Sequence, residues 1–115
     1  MTAKKTRTPA KPTPKKKLVA KLPANKHGRL VVVRASVSGV WFGRLIRQEG
    51  PDVVLVEARR CWSWTGAGSC SSLALYGPSG GKIAPPVSVQ VFGACEVIDA
   101  TTDAATRFVA VPPWL

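Results

Sequence analysis

The chain has 115 residues, a net charge of +11 and 45% hydrophobic residues, which suits one domain plus a tail. Its single histidine, His27, lies in the basic N-terminal stretch, and its three cysteines are odd in number and irregularly spaced. These features argue against a disulfide framework, a zinc site and a histidine-assisted nucleophile in the domain, and no apolar run approaches the about 18 residues of a membrane span.

Residues 1–29 carry every cation of the basic stretch and no acid: Lys4, Lys5, Arg7, Lys11, Lys15, Lys16, Lys17, Lys21, Lys26 and Arg29. Pro9, Pro12, Pro14 and Pro23 interrupt any helix there. Like charges repel, and too little apolar surface is present to offset the entropy of ordering. A disordered, extended tail is expected over residues 1–28, followed by a β domain over 29–115. The tail has no apolar h-region, so it does not read as a signal peptide, and a reducing interior is the expected location.

Leu30–Val37 is rich in β-branched residues and predicts a first strand. Ser38-Gly39 is a short turn and Val40–Arg47 a second strand. Gly50-Pro51 marks the next turn, and Val53–Ala58 a third strand. Three strands on short turns predict an antiparallel meander. Beyond Ala58, strict alternation would place Arg60 on one face with Ala58, Trp62 and Trp64. That does not suit a core, so a bulge or break near Arg59-Arg60 is expected.

Ser69–Tyr76 predicts one or two helical turns, capped by Ser69 or Ser71, with Leu73 and Tyr76 on one side. Gly77–Pro86 reads as a loop and Val87–Ile98 as one long later strand. Thr101 or Thr102 caps a short helix over Asp103–Phe108, and the chain ends extended. The expected fold class is mostly β. It is a small SH3-like or partly open antiparallel barrel, a meander plus a long later strand, with two short helices and the basic tail in front.

Lysines spaced by Ala, Pro and Thr neutralise phosphates without a fold. If all the basic groups of the tail engaged, the log–log salt slope would approach roughly −9 on duplex DNA, at about −0.9 per contact. Such contact is blind to sequence. The expected partner is nucleic acid, DNA ahead of RNA, with an acidic protein as the alternative.

Arg59, Arg60, Trp62 and Trp64, with Trp41 and Arg44, hold the ingredients of a single-strand stacking surface. Four tryptophans in so small a domain are also natural core material, each burying roughly 150–250 Å². The indoles are read as core. Arg59 and Arg60, beside Trp62 and Trp64, are the domain's candidate contact surface, unless they pair with Glu57 or Glu96. Gly77–Ile83 departs from a phosphate loop, since its spacing is one residue short and Ile83 stands where a hydroxyl would hold Mg²⁺. Cys61, Cys70 and Cys95 read as free thiols. No catalytic residue, metal or cofactor is expected.

Five blocks carry a resemblance: VVVRASVSGVWFG (31–43), VVLVEARRCWSWTGA (53–67), SLALYG (72–77), CEVI (95–98) and PPW (112–114). They resemble a family of small tailed-phage and prophage proteins that share a domain of unknown function. Its pattern is a VVVR.YSAGVxxG opening, an LKDARRxWxW.GA centre, an LxELAxxG helical turn and an AIEIIPCT.EA close. Ala58–Ala67 is the specific block. Ala35-Ser36-Val37 replaces the family's tyrosine region, Val56-Glu57 replaces its Lys-Asp pair, and the lysine tail is outside the pattern.

The resemblance implies a phage origin. The expected function is a non-enzymatic phage accessory protein, with the β domain as a protein-contact or assembly module and the tail holding nucleic acid non-specifically. The alternative is a virion structural protein, capsid- or tail-associated, whose arm threads along neighbouring subunits or packaged DNA. Phage structural proteins are then further partners and membranes are not. The expected location is the infected bacterial host cytoplasm or the virion.

Overall fold

The computed structural model describes residues 28–115, so the expectations for the tail up to His27 lie outside the described residues. β1 (Arg29–Ala35), β2 (Gly39–Glu49) and β3 (Asp52–Thr65) form the expected antiparallel meander. Then come α1 (Cys70–Tyr76), β4 (Gly80–Ile83), β5 (Val87–Val91), β6 (Ala94–Asp99) and α2 (Thr102–Ala110). Both helices start on the caps the sequence offers. Ser69 accepts from the Ser72 amide at 3.2 Å, and Thr101 accepts from the Ala104 amide at 3.0 Å.

The sheet order is β4-β3-β2-β1-β6, with β5 also paired to β3. β3 is long enough to take two partners on its free edge. β5 runs along Val53–Ala58 and β4 along Cys61–Thr65. The chain leaves β5, turns at Phe92-Gly93 and returns as β6 beside β1. The two outer margins of the meander are thus linked, and the sheet curls into a partly open antiparallel barrel.

Two stretches depart from the expected strand and loop. Val87–Ile98 is not one strand, because the chain corners at Gly93, whose φ of 73° favours glycine. The corner is pinned to the β2–β3 turn: the Gly93 amide donates to Asp52 Oδ1 at 3.2 Å and the Ala94 amide to Pro51 O at 2.7 Å. The stretch expected to be a loop over Gly77–Pro86 contains β4, which pairs with the far end of β3.

β3 does not stop at Arg59-Arg60. It bulges just before them. The register jumps from Arg44↔Val56 to Phe42↔Arg59, and Glu57 takes a left-handed φ of 55°. Gly43 faces the bulge. A Cβ there would lie 2.9 Å from Ala58 Cα, so only glycine lets the two backbones meet. The extra residue resets the alternation. Before it, Val53 and Leu55 face the barrel interior; after it, Ala58 does, while Cys61 joins the opposite face.

Two cores result. Val31, Val33, Trp41, Leu45, Leu55 and Val91 fill the barrel. On the outer face of the sheet, Val32, Phe42, Cys61 and Ile83 meet Leu73 of α1 and Phe108 of α2. Phe42 and Phe108 stack with centroids 4.1 Å apart and planes 8° from parallel. On α1 the buried pair is Leu73 and Ala74, while Tyr76 is exposed. At about 100° per residue Tyr76 lies well off the arc that Leu73 and Ala74 centre on, so it misses the sheet.

Candidate nucleic-acid interface

Arg59 and Arg60 share a strand but not a face. Arg59 is 5% exposed and, against expectation, is no part of a contact surface. Its guanidinium donates to four backbone carbonyls: Nε to Ala84 O at 2.7 Å, Nη2 to Ile83 O at 3.0 Å, and Nη1 to Phe108 O at 2.6 Å and Val111 O at 2.8 Å. Two of these carbonyls belong to the C-terminal end of α2, where unpaired acceptors and the negative end of the helix dipole favour a cation. Burial alone lowers the Arg59 pKa from its ordinary value. The side chain ties β3, β4 and α2 together.

Arg60 points the other way. Its guanidinium carbon lies 4.6 Å from the Trp41 ring centre and 5.2 Å from that of Trp62. Trp62 meets Trp114 edge to face, with centroids 6.1 Å apart and planes 67° apart. Lys82 Nζ stands 5.5 Å from the Trp114 ring centre. The C-terminal segment reaches this position because the Trp114 amide donates to Ile83 O at 2.9 Å, alongside β4.

The indoles have divided roles. Trp41 is core at 6% exposure, but Trp62 and Trp114 are 57% and 44% exposed, against the expectation that all the indoles are core. The bulge at Glu57 turns Arg60 to the Trp41 side, and a second register shift between Cys61 and Ser63 leaves Trp62 outside while Trp64 packs with Cys61 in the outer core. Trp64 is half-buried and donates its indole N–H to Ala67 O at 3.1 Å. An open cleft of about 410 Å³ lies between Trp62, Trp64 and the β1–β2 turn at Val37–Val40.

The family model described as Domain of unknown function (DUF6948) matches residues 28–108. The chain belongs to this family. No curated protein and no solved structure matches the chain. The DUF6948 match begins at Gly28, after the lysine-rich segment, and ends at Phe108, before Trp114. Arg59, Arg60, Trp62, Trp64 and Lys82 all fall within it.

Within the DUF6948 domain most acids are already engaged. Asp99 pairs with Arg29, Glu96 with Arg34, Glu57 with Arg44 and Glu49 with Arg47. Arg29 therefore belongs to β1 and to Asp99, where its Nε donates at 2.6 Å, rather than to the tail with which its charge groups it. Among the described residues, Arg60, Lys82 and Arg107 have no acidic partner, and Arg59 donates to carbonyls instead. Two of these unpaired cations, Arg60 and Lys82, stand beside the exposed tryptophans. Lys82 and Trp114 escaped sequence reasoning, because nothing in Gly-Gly-Lys or Pro-Pro-Trp marks a strand edge or a neighbour of Trp62.

The thiols do not converge. Burial pushes the Cys61 thiol up to about 12, and burial followed by the Glu96 charge raises that of Cys70, while Cys95 is exposed. Among the described residues no group of three or more His, Cys, Asp or Glu side chains could hold a metal ion. A second cleft, of about 340 Å³, lies on the helix side between Phe42, Val109 and the Arg44–Glu57 pair. Its charges neutralise each other and Arg59 beside them is fully taken up by carbonyls.

Proposed function

We propose that this protein is a non-enzymatic accessory protein of phage origin. Its basic N-terminal segment holds nucleic acid, and its DUF6948 domain acts as a contact module. The observation that carries this reading is the partition of charge. Four of the domain's acids are tied to arginines, whereas Lys4, Lys5, Arg7, Lys11, Lys15, Lys16, Lys17, Lys21 and Lys26 have no acid among them in sequence. The Ala58–Ala67 block supports the phage origin, and with it a location in the infected host or the virion.

With Arg29 given to Asp99, nine cations remain in the segment. Their counterion release sets an upper bound of roughly −8 on the log–log salt slope for duplex DNA. The test is retention of a random-sequence duplex by the full chain across a salt series. A variant with Lys4, Lys5, Lys15, Lys16 and Lys17 replaced by Gln is measured beside it. The expected result is a steep slope that becomes shallower by up to about 4 in the variant. Binding that is insensitive to salt and unchanged in the variant would sink the reading.

A further inference from the structure

We infer that the row Arg60, Trp62, Trp114 and Lys82 is a stacking platform for single-stranded nucleic acid. This rests on the nucleic-acid reading above and names the form of polynucleotide that the domain takes.

Trp62 and Trp114 are large apolar side chains left in water. With planes 67° apart only the edge of one ring meets the other, and at 57% and 44% exposure both rings keep open surface on which a base can stack. Every base has a π face, so stacking on indole tolerates any sequence. Arg60 lies over both Trp41 and Trp62, and Lys82 lies over Trp114, which places a cation beside each exposed ring. Arg60 Nε is buried without a hydrogen-bond partner among the described residues. None of the residues lining the row or the adjoining 410 Å³ cleft is acidic.

The combination selects the occupant. An acidic protein would use the two cations but not the flat indole faces. A duplex offers phosphates, but its base faces are closed within its own stack. A single strand offers phosphates and open base faces together. Beside Trp62, the cleft bounded by Val37–Val40 leaves room for a neighbouring nucleotide.

The test uses the full chain. Fluorescence anisotropy measures binding of labelled oligo-dT, oligo-rU, a duplex of equal phosphate number and poly-glutamate of equal charge, at about 0.2 M salt, where purely electrostatic binding is weak. The wild type is expected to bind both single strands more tightly than the duplex or poly-glutamate. Trp62→Ala and Trp114→Ala should each weaken single-strand binding about tenfold and leave duplex binding unchanged, while Trp62→Phe retains most of it. Two tryptophan variants, both at exposed positions, guard against a folding defect in one. Single-strand affinity unchanged in both alanine variants overturns the platform but spares the basic segment. A wild type that prefers poly-glutamate, or that binds no single strand at this salt, overturns the platform, and one that also retains no duplex at the low-salt end of the series above overturns both readings.

Discussion

Arg59 and Arg60 are adjacent in β3 and serve opposite faces of it. The first donates to carbonyls of α2 and of the chain after β4; the second lies over Trp41 and Trp62. The bulge at Glu57 brings this about by shifting the alternation one residue before the pair. Regular pleating from Leu55 onward would have put Arg59, not Arg60, on the Trp41 side. The bulge therefore links a local backbone strain to the exposed cation–aromatic surface.

The two arginines should differ sharply in their effect on stability. Arg59→Ala takes a charged donor from four carbonyls in a buried site, of which Ile83 O and Phe108 O keep only the Trp114 and Val111 amides, and the loss is about 3–5 kcal/mol. For a domain of this size that lowers Tm by roughly 20 °C. Arg59→Lys recovers only part, because an ammonium lacks the planar fork that reaches two elements at once. Arg60→Ala removes cation–π contacts worth about 0.5–1 kcal/mol each. Urea denaturation of the three variants checks the order; an Arg60 variant less stable than Arg59→Ala would contradict the assignment.

Much of the scaffold is legible in the sequence. The β-branched runs and Gly50-Pro51 give the meander, and Ser69 and Thr101 give the helix starts, because those signals are local. The sides of β3 beyond Ala58 were not legible. Nothing about Glu57 announces a left-handed φ; one extra residue there exchanges the faces of Arg59 and Arg60, and a second register shift between Cys61 and Ser63 sets those of Trp62 and Trp64. β4 was hidden for a similar reason: Gly-Gly-Lys has turn chemistry and becomes a strand only because β3 offers an edge. Net charge needs no fold, which is why the basic segment stands out in the sequence while Lys82, a single cation beside Trp114, does not.

Glu57 tests the bulge directly. Its left-handed backbone costs an ordinary residue roughly 1–2 kcal/mol. Its carboxylate lies 3.5 Å from Arg44 Nε in a partly exposed pair worth at most about 1 kcal/mol. In Glu57→Gly the two terms nearly cancel, so stability should stay within about 1 kcal/mol of wild type. Glu57→Val loses the pair and adds a β-branched side chain at positive φ, for a loss of about 2–3 kcal/mol. Equal stability of the Gly and Val variants in urea would mean that this backbone does not hold its left-handed turn.

Cys61 supplies a pH signature of the outer core. Its thiol is pushed up to about 12 in the folded domain, chiefly by burial. An unfolded cysteine ionises near 8.5. Below that pH both states keep the proton, and Cys61 adds no pH dependence. Between there and about 12 the unfolded chain releases the proton and the folded domain does not, so stability falls as pH rises. The steepest contribution is about 1.4 kcal/mol per pH unit. The informative quantity is the difference between wild type and Cys61→Ala, in which the contributions of all other groups cancel. Unfolding free energies from pH 7 to 10.5 should decline less steeply in the variant. Thiol alkylation at neutral pH provides a second readout: exposed Cys95 should react in the native protein, and Cys61 only on unfolding. Parallel pH profiles, together with rapid native alkylation of Cys61, would show that the sheet does not close over this thiol beneath Phe108.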